Sequence, residues 1–398
     1  MTDVAEQLSG LRHRGLHRRL RLISGPQGPR VTLDGEQVLL LCSNDYLGLA
    51  NHPRVRGAAA DAAMRWGAGA GASRLISGNM QPHARLESRL AAFKGYESAL
   101  LFGSGYLANT GTIAALAGRG EVVFSDELNH ASIIDGCRLA RAETFVYRHA
   151  DAEHLAWGLR QAAGRGSLIV SDGVFSMDGD VAPLEQLAQL ARQHSCRLMI
   201  DEAHATGALG PGGRGSVAAA GLSGEVDVVV GTLGKALGSY GAYVCTDREL
   251  SEYLLNVARP FVFSTAPAPP AIAASLAALE LVESQPQRVE RLAENAATLR
   301  GALAAERLGT GVANTQIVPV EVGDADCATE LSERLLERGV FVQGIRPPTV
   351  PEGSSRLRFT VMSTHRGEEL ESAAKVVGAA ARELGVITGR AHPVALAA

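Results

Sequence analysis

The sequence predicts an α/β protein with a large domain built on a mainly parallel β-sheet and a smaller α/β domain after it. First, short apolar runs alternate with helical patterns from about residue 46 to residue 265. Second, each run is almost continuously apolar, which is typical of strands covered on both faces of a sheet. Third, the pattern changes after residue 265 to a long helix, followed by two or three strands with helices on one side.

Residues 1–45 are predicted to form an N-terminal helical arm that leads into a short extended stretch, RVTLDGEQVLLLCSNDYLGL. Arginines cluster in this arm at Arg12, Arg14, Arg18, Arg19 and Arg21. Such a cluster is either a solvated helix face or a local binding element for an anionic ligand, and the sequence leaves both interpretations open.

Residues 46–265 are predicted to form the large domain. Its apolar runs are SALLF, EVVFS, TFVYR, SLIVSDG, RLMIDEAH and VDVVVGT. The helices between them, such as VAPLEQLAQLARQH, carry apolar residues at three- and four-residue spacing. Ligands of open α/β sheets bind at the carboxyl ends of the strands, so functional residues are expected directly after these runs.

Residues 266–398 are predicted to form the small C-terminal domain. A proline-rich entry, STAPAPPAIAASLAALELV, leads into a long helix that continues through RVERLAENAATLRGALAA. The predicted strands after it are QIVPVEV, VFVQGI and SRLRFTV, and the predicted helices are ATELSERLLERG and EELESAAKVVGAAAREL.

Composition excludes several classes of protein. The chain has 398 residues, a formal net charge of −4 and 46% hydrophobic residues, which suffice for a sizeable core without an obvious nucleic-acid or anionic-membrane partner. No apolar run reaches the roughly 18 to 20 residues of a membrane span, and the first residues lack the apolar core of a secretory signal. The five cysteines show no CxxC spacing. We therefore expect reduced thiols and a cytoplasmic protein.

Two glycine-rich stretches suggest different conclusions. LLFGSGYLANTGTIAAL predicts a strand, a small-residue turn and a helix, in which Gly103 and Gly105 allow an anion to approach free N–H groups. A bare glycine turn is also common without any ligand. GAGAGASRLISG (residues 67–78) lacks the third spaced glycine and a preceding strand, so we reject it as a dinucleotide fingerprint.

The run LMIDEAH places Asp201 at a strand end and His204 three residues later. A carboxylate there is costly unless a positive charge, such as a protonated pyridine nitrogen, compensates it. One alternative is that the carboxylate caps the next turn. A second is that Asp201 and His204 bind a metal ion, which is less favoured because no third ligand has a suitable spacing.

Two further strand ends carry polar residues. In SDELNHASIIDG, His130 precedes a helix and is either a functional or a capping histidine. In SDGVFSMDGD, Ser176 lies in a loop with Asp178 and Asp180, where ordinary turn chemistry is the alternative.

Lys235 stands among glycines directly after an apolar strand in DVVVGTLGKALGSYGAYV. A lysine in a partly desolvated pocket has a lowered pKa and can form a Schiff base, and Thr232 can offer its hydroxyl to a phosphate. A lysine that merely extends out of the loop is the alternative. The order of a phosphate turn, a histidine, an aspartate and a lysine at successive strand ends favours a pyridoxal phosphate site.

The sequence resembles the α-oxoamine synthases, which are pyridoxal-phosphate enzymes of fold type I, across nearly the whole chain. The matching segments are SNDYLGLANHP, GSGYLANTG, LNHASIIDG, SDGVFSMDGD, DEAHATGALGPGGRG, TLGKALG and RPPTVPEGSSRLRFT. The resemblance implies a fold type I PLP-dependent transferase that condenses an amino acid with an acyl thioester and releases CO₂. It also implies a homodimer whose partner subunit completes the site, with Ser264 and Thr265 as candidate contributions.

The resemblance also implies a role for each candidate residue. Lys235 would hold pyridoxal 5'-phosphate and then serve as the acid and base, while Asp201 would pair with the ring nitrogen. His130 would stack on the ring and lie at the substrate. The remaining expected cofactor contacts are Gly105, Tyr106, Ser176, His204 and Thr232.

For the amino-acid substrate, SSRLRFT offers Arg356 and Arg358 as an arginine fork for the carboxylate, and Arg356 is favoured, with Thr360 nearby. The resemblance implies Arg18 (or Arg19) at the acyl substrate. IRPPTVPEGSSRLR resembles the members that make 8-amino-7-oxononanoate for biotin from L-alanine and pimeloyl-CoA or a pimeloyl carrier protein. Members that act as glycine acetyltransferases, 5-aminolevulinate synthases or serine palmitoyltransferases are the alternatives. A catalytically silent subunit and a nicotinamide oxidoreductase are less favoured, because Lys235 is present and no G-x-G-x-x-G turn follows the first strand.

Overall fold

The computed structural model describes residues 3–14, 16–312 and 314–386. Its strands are β1 (Ile23–Ser24), β2 (Arg30–Leu33), β3 (Glu36–Leu40), β4 (Ser98–Phe102), β5 (Val122–Asp126), β6 (Glu143–Tyr147), β7 (Gly166–Asp172), β8 (Arg197–Asp201), β9 (Val228–Thr232), β10 (Ala242–Thr246), β11 (Ile317–Gly323), β12 (Val340–Phe341), β13 (Gln343–Ile345) and β14 (Ser355–Thr360).

Its helices are α1 (Val4–His13), α2 (Pro53–Trp66), α3 (Gln81–Lys94), α4 (Gly105–Leu116), α5 (Ala131–Ala140), α6 (Ala152–Gln161), α7 (Leu184–His194), α8 (Ser216–Ala219), α9 (Arg248–Val257), α10 (Arg259–Val262), α11 (Pro269–Ser284), α12 (Gln287–Ala305), α13 (Ala325–Glu337) and α14 (Gly367–Glu383). Among the described residues, none of these helices has the length and hydropathy that crossing a membrane requires.

The central sheet has seven strands in the order β4-β10-β9-β8-β7-β5-β6. Strands β9, β8, β7, β5 and β6 run parallel, whereas β10 runs antiparallel to both of its neighbours. The predicted mainly parallel sheet is confirmed. The sequence did not predict β10 as a strand. Only residues 233–241 separate it from β9, and a parallel return needs a crossover of about a dozen residues or more.

Successive residues of the central strands point to opposite faces of the sheet, and helices cover both faces. In β7, Leu168 and Val170 pack into a core cluster with α4, α5 and α9, whereas Ile169 packs into a second cluster with α7, α11 and α12. Because both faces are buried, the strands are apolar at nearly every position.

Two smaller sheets combine distant parts of the chain. Strands β1, β2 and β3 form a sheet with β12, in which Leu39 and Leu40 pair with Val340 and Phe341. A second sheet has the antiparallel order β11-β14-β13. The N-terminal extended segment thus joins strands from the C-terminal region, and the domain boundaries at residues 45 and 265 stay a prediction.

The predicted long helix after residue 268 is two helices, α11 and α12, with a break at Gln285 and Pro286. Gln285 has φ −132° and ψ 63°. A proline disfavours the helical conformation of the residue before it and lacks an N–H group for the helix ladder, so the chain turns there.

Candidate active site

Lys235 lies in the loop between β9 and β10, where close packing fixes the backbone. The N–H of Gly238 donates to the Lys235 carbonyl at 2.8 Å. Gly238 has a φ of +59°, and a Cβ at this position would lie 2.3 Å from the backbone nitrogen of Ala50. Only glycine fits such a left-handed, crowded position. The loop therefore packs tightly on the segment before α2 and holds the Lys235 side chain partly buried.

The amine of Lys235 contacts a buried histidine. Its Nζ lies 2.7 Å from Nε2 of His204, and Nδ1 of the same ring lies 2.6 Å from the hydroxyl of Tyr46. Burial, together with the charges of Lys235 and Arg358, lowers the pKa of His204 well below its usual value. The imidazole is therefore neutral, with one ring nitrogen that donates and one that accepts.

The environment of Lys235 favours its uncharged form. Burial lowers the pKa of the amine from 10.5 to about 8, while the nearby Asp201 and Asp172 partly oppose this shift and Arg358 adds to it. A substantial share of the amine is unprotonated slightly above neutral pH, and this is the form that attacks a carbonyl carbon.

Two carboxyl groups lie side by side at the ends of neighbouring strands. Asp201 ends β8 and accepts hydrogen bonds from Nδ2 of Asn109 at 2.6 Å and from the N–H of Ala203 at 2.7 Å. Asp172 ends β7, in register with Asp201, and is also buried. Burial and the charge of Asp201 raise the pKa of Asp172 well above its usual value, which favours its protonated form.

His130 is the N-cap residue of α5 and lies close to this carboxyl pair. Its Nδ1 accepts from the N–H of Ser132 at 3.2 Å, and its own backbone N–H donates to Asp172 at 2.7 Å. The capping interpretation is therefore correct for Nδ1. The ring is nevertheless exposed in the single chain, so its face is available to a planar group.

An anion-binding element lies at the start of α4. The N-cap residue Ser104 accepts from the N–H of Leu107 at 3.2 Å. The N–H groups of Gly105 and Tyr106 in the first turn have no acceptor within the described residues. Thr232, at the end of β9, accepts from the N–H of Gly234 at 3.1 Å. Free amides at a helix N-terminus suit a phosphate group.

Two arginines of β14 reach the loop that follows β7. Nη1 of Arg356 donates to the carboxylate of Asp178, and Nε of Arg358 donates to the carbonyl of Ser176. The charge of Arg358 contributes to lowering the pKa of both Lys235 and His204, so this arginine interacts electrostatically with the lysine site.

Two other predicted site residues, Thr360 and Arg18, make no contact with the residues around Lys235 that are described above. The hydroxyl of Thr360 is buried and donates to the carbonyl of Ser43 at 2.7 Å. Arg18 is exposed in the segment between α1 and β1, and the described part of the chain provides no ion pair for it. Its neighbours Arg19 and Arg21 pair with Glu333.

The sequence did not identify three residues of the site, namely Tyr46, Asn109 and Asp172, and it ranked Arg358 second to Arg356. Tyr46 and Asn109 stand inside the quoted motifs SNDYLGLANHP and GSGYLANTG, and Asp172 stands near the end of the run SLIVSDG. Asp172 is the one that the strand-end rule itself pointed to, because it ends a central strand as Asp201 does.

These groups fit pyridoxal 5'-phosphate. The set offers an amine of lowered pKa, a buried carboxyl group, an exposed imidazole face and free amides for a phosphate. Oδ1 of Asn109, beside Asp201, is moreover buried without a hydrogen-bond partner in the part of the chain that the structure describes. An unsatisfied buried acceptor is typical of a site that takes a polar ligand.

Comparison with known proteins gives a consistent result. The model of the aminotransferase class I and II family matches residues 36–377. A curated relative, an 8-amino-7-oxononanoate synthase from Citrifermentans bemidjiense, is 53% identical over 390 residues, covering 97% of this chain and 100% of the relative.

Solved structures extend the similarity to the fold. A serine palmitoyltransferase from S. paucimobilis with bound PLP and myriocin has a TM-score of 0.91 at 32% identity, covering 96% of this chain and 98% of that one. An 8-amino-7-oxononanoate synthase from Francisella tularensis has a TM-score of 0.75 at 28% identity, covering 87% of this chain and 98% of that one.

Proposed function

The chain belongs to the aminotransferase class I and II family and to its α-oxoamine synthases of fold type I, and from that premise we propose its reaction. It condenses L-alanine with a pimeloyl thioester, releases CO₂ and yields 8-amino-7-oxononanoate, a step of biotin biosynthesis. The observation that carries this function is the 53% identity to an 8-amino-7-oxononanoate synthase over essentially both chains.

Serine palmitoyltransferase is the second candidate, since solved structures of that enzyme have TM-scores of 0.91 with this chain. The TM-score compares backbones, however, and substrate choice depends on side chains that line the site. Identity to those enzymes is 32–33%, well below 53%. The side-chain similarity therefore favours L-alanine and the pimeloyl group.

The cofactor of the enzyme is pyridoxal 5'-phosphate, and the site residues divide into groups that would hold its parts. Lys235 would take the aldehyde, Asp201 the ring nitrogen, and His130 the ring face. The phosphate would bind at Gly105, Tyr106 and Thr232, with His204 and Ser176 at the phenolic edge.

When bound, this cofactor supplies an aldehyde for amines and a ring that accepts electrons from Cα of an amino acid. Lys235 then moves protons: its amine, with a pKa of about 8, takes the proton from Cα and later returns one. His204 stays neutral and hydrogen-bonded between Lys235 and Tyr46, which fixes the direction of the amine.

The substrate carboxylate needs an arginine close to Lys235. The sequence favours Arg356, which stays a prediction, but that guanidinium donates to Asp178. The electrostatics of the site favour Arg358, because its charge contributes to the lowered pKa of Lys235 and of His204. A guanidinium fork binds a carboxylate with two parallel hydrogen bonds and so fixes the orientation of Cα.

The acyl thioester, carried by CoA or a carrier protein, would meet the exposed Arg18 of the N-terminal segment. We also propose a cytoplasmic homodimer. Several large apolar side chains are exposed in the single chain, among them Ile76 (80%), Phe263 (71%) and Tyr240 (62%). Apolar patches of this kind mark interaction surfaces. Thr265 forms an isolated β-bridge with Ser73, which brings the chain segment of Phe263 to that of Ile76.

Substrate comparison tests the function. The PLP-loaded protein is incubated with L-alanine, glycine or L-serine and with pimeloyl, acetyl, succinyl or palmitoyl thioesters, while thiol and CO₂ release are measured. We expect the highest kcat/KM for L-alanine with the pimeloyl thioester. A preference for L-serine with the palmitoyl thioester would instead support the second candidate.

A further inference from the structure

The loop of residues 173–182, here called the bridging loop, leaves β7 and contacts two sheets. Val174 and Val181 form a β-bridge within the loop, which holds its two ends together. On the side of the seven-stranded sheet, the N–H of Gly173 donates to the carbonyl of Asp201 at 2.8 Å. The carboxylate of Asp180 lies 2.9 Å from Nε2 of His149, whose Nδ1 lies 3.0 Å from Asp126 at the end of β5. This side of the loop is thereby fixed to the strand ends that carry the site.

On the side of the three-stranded sheet, the bridging loop contacts β11 and β14. Thr315 donates its hydroxyl to the carbonyl of Gly179 at 2.7 Å. Gly179 has a φ of +73°, and a Cβ there would lie 2.7 Å from the carbonyl oxygen of Ile317. Asp178 forms an ion pair with Arg356 of β14. The loop and the small sheet are therefore in direct, close contact.

We propose that the Asp178–Arg356 ion pair is a latch that positions Arg358 to bind the carboxylate of the amino-acid substrate. This inference rests on the proposed function. Asp178 and Arg356 are positioning residues, and Arg358 is the group that touches the substrate.

The chain geometry explains why a latch matters. Arg356 and Arg358 lie two residues apart on one face of β14, so fixing the first constrains the second. Nε of Arg358 also donates to the carbonyl of Ser176, which belongs to the bridging loop. If the bridging loop moved, the carbonyl of Ser176 would move with it, and so would β14, which the Asp178–Arg356 pair connects to the loop.

The latch also controls a distance between sheets. Lys235 follows β9 of the seven-stranded sheet, whereas Arg358 belongs to the three-stranded sheet. The carboxylate and Cα of one small substrate must reach both residues together, and a misplacement of about 1 Å can cost 10²-fold in rate. Side-chain exposure is 10% for Arg356 and 35% for Asp178, so the pair is shielded enough to hold its geometry.

The test compares Asp178→Asn with the wild-type PLP-loaded enzyme. We expect the KM for L-alanine, and its dissociation constant from the absorbance change of the cofactor, to rise about tenfold, with the KM for the thioester unchanged. Arg356→Gln should have the same effect, and the double variant should be no worse than either single variant, because the pair acts as a unit. Asp178→Glu should restore most of the affinity.

A second readout needs no turnover. Amide hydrogen exchange of Phe175 and Gly179, whose N–H groups donate within the bridging loop, should be faster in Asp178→Asn. Asp151→Asn, which removes the carboxylate of the exposed Arg148–Asp151 pair, is the control and should change neither affinity nor exchange in this loop.

Three results would overturn the latch. An unchanged KM for L-alanine in Asp178→Asn would show that the pair positions nothing. A lowered KM would show that Asp178 competes with the substrate for Arg356. Independent, additive effects of the two single variants would show that they do not act together. If the wild-type enzyme failed to use L-alanine with a pimeloyl thioester, the proposed function would fail instead.

Discussion

Lys94 is buried and Lys235 is half-buried, and these two lysines have opposite surroundings. Lys94 ends α3, has a side-chain exposure of 2%, and forms an ion pair with Glu202, which is fully buried. It also donates to the carbonyl of Arg214. Lys235 contacts a neutral histidine, His204, and its pKa is lowered to about 8.

The comparison shows that the partner, not burial alone, decides what a buried lysine does. A carboxylate at contact distance offsets the cost of desolvating the ammonium group, so Lys94 serves the fold. A neutral imidazole does not offset that cost, so Lys235 shifts toward the free amine that its chemistry needs. The two sites are adjacent in sequence as well, because Glu202 directly follows Asp201.

The largest effect is expected for Lys235→Ala. Without the amine, turnover should fall by on the order of 10⁴-fold or more, since both nucleophile and base are lost. The variant should stay folded, because removing the amine also removes the cost of burying its charge. Borohydride reduction with PLP, followed by peptide mapping, should label Lys235 among the three lysines of the chain.

The matched control for that variant is Lys375→Ala, at an exposed position of α14. It should keep full turnover. A borohydride label on Lys94 or Lys375, or appreciable condensation by Lys235→Ala, would contradict the role of Lys235.

Lys94→Met should have the second largest effect, and on stability. It leaves the carboxylate of Glu202 buried without its cation, which costs roughly 3–5 kcal/mol of unfolding free energy. Urea denaturation measures this loss. Adding Glu202→Gln should recover part of it, because the amide oxygen can still accept from the hydroxyl of Ser216 and the N–H of Val217. A loss below about 1 kcal/mol would mean that the ion pair contributes little.

Asp201→Asn tests the comparison by removing a negative charge that acts on Lys235. The charge of Asp201 opposes the lowered pKa of Lys235, so its removal should lower that pKa further. Turnover should fall by on the order of 10²-fold, equivalent to about 3 kcal/mol, because a negative partner of the ring nitrogen is lost. Exchange of the Cα proton of L-alanine measures this step, and near-normal exchange would rule out the assigned role.

The smallest expected effect is the pH dependence that Lys235 gives to the unfolding free energy of the cofactor-free protein. The folded pKa of Lys235, about 8, lies below the ordinary 10.5 of an unfolded chain. Between these values the unfolded state binds more protons, so the contribution of Lys235 to stability rises with pH. Below about pH 8 its full destabilising effect is present, and above 10.5 none remains.

Urea denaturation of wild type and Lys235→Met at pH 7.5 and pH 10 tests this sign. The variant should be more stable than wild type at the lower pH, and the difference should shrink at the higher one. A difference that grows with pH would show that the folded pKa is raised instead.

The sequence predicted much of the frame because strand periodicity and strand ends are local signals. Apolar runs gave β4, β5, β6, β7 and β9 within about two residues, and the run for β8 extends about three residues too far. It missed β10, whose antiparallel direction follows from a short connection, and it joined α11 and α12 across Pro286. The assigned site roles remain proposals, although the structure brings Lys235, His204, Asp201 and His130 to one edge of the sheet.

Sequence by itself determined which residues end the central strands, and therefore which amine, carboxyl and imidazole groups meet, because parallel strands share one carboxyl edge. Only the tertiary structure gives a reason to propose Arg358 rather than Arg356 as the residue that binds the substrate carboxylate. The two lie on the same face of one strand, so periodicity cannot separate them, and their different partners come from a loop about 180 residues earlier. The tertiary structure also decided which buried lysine is paired. The distance between Lys94 and Glu202 depends on how α3 packs on the sheet, which no local pattern records.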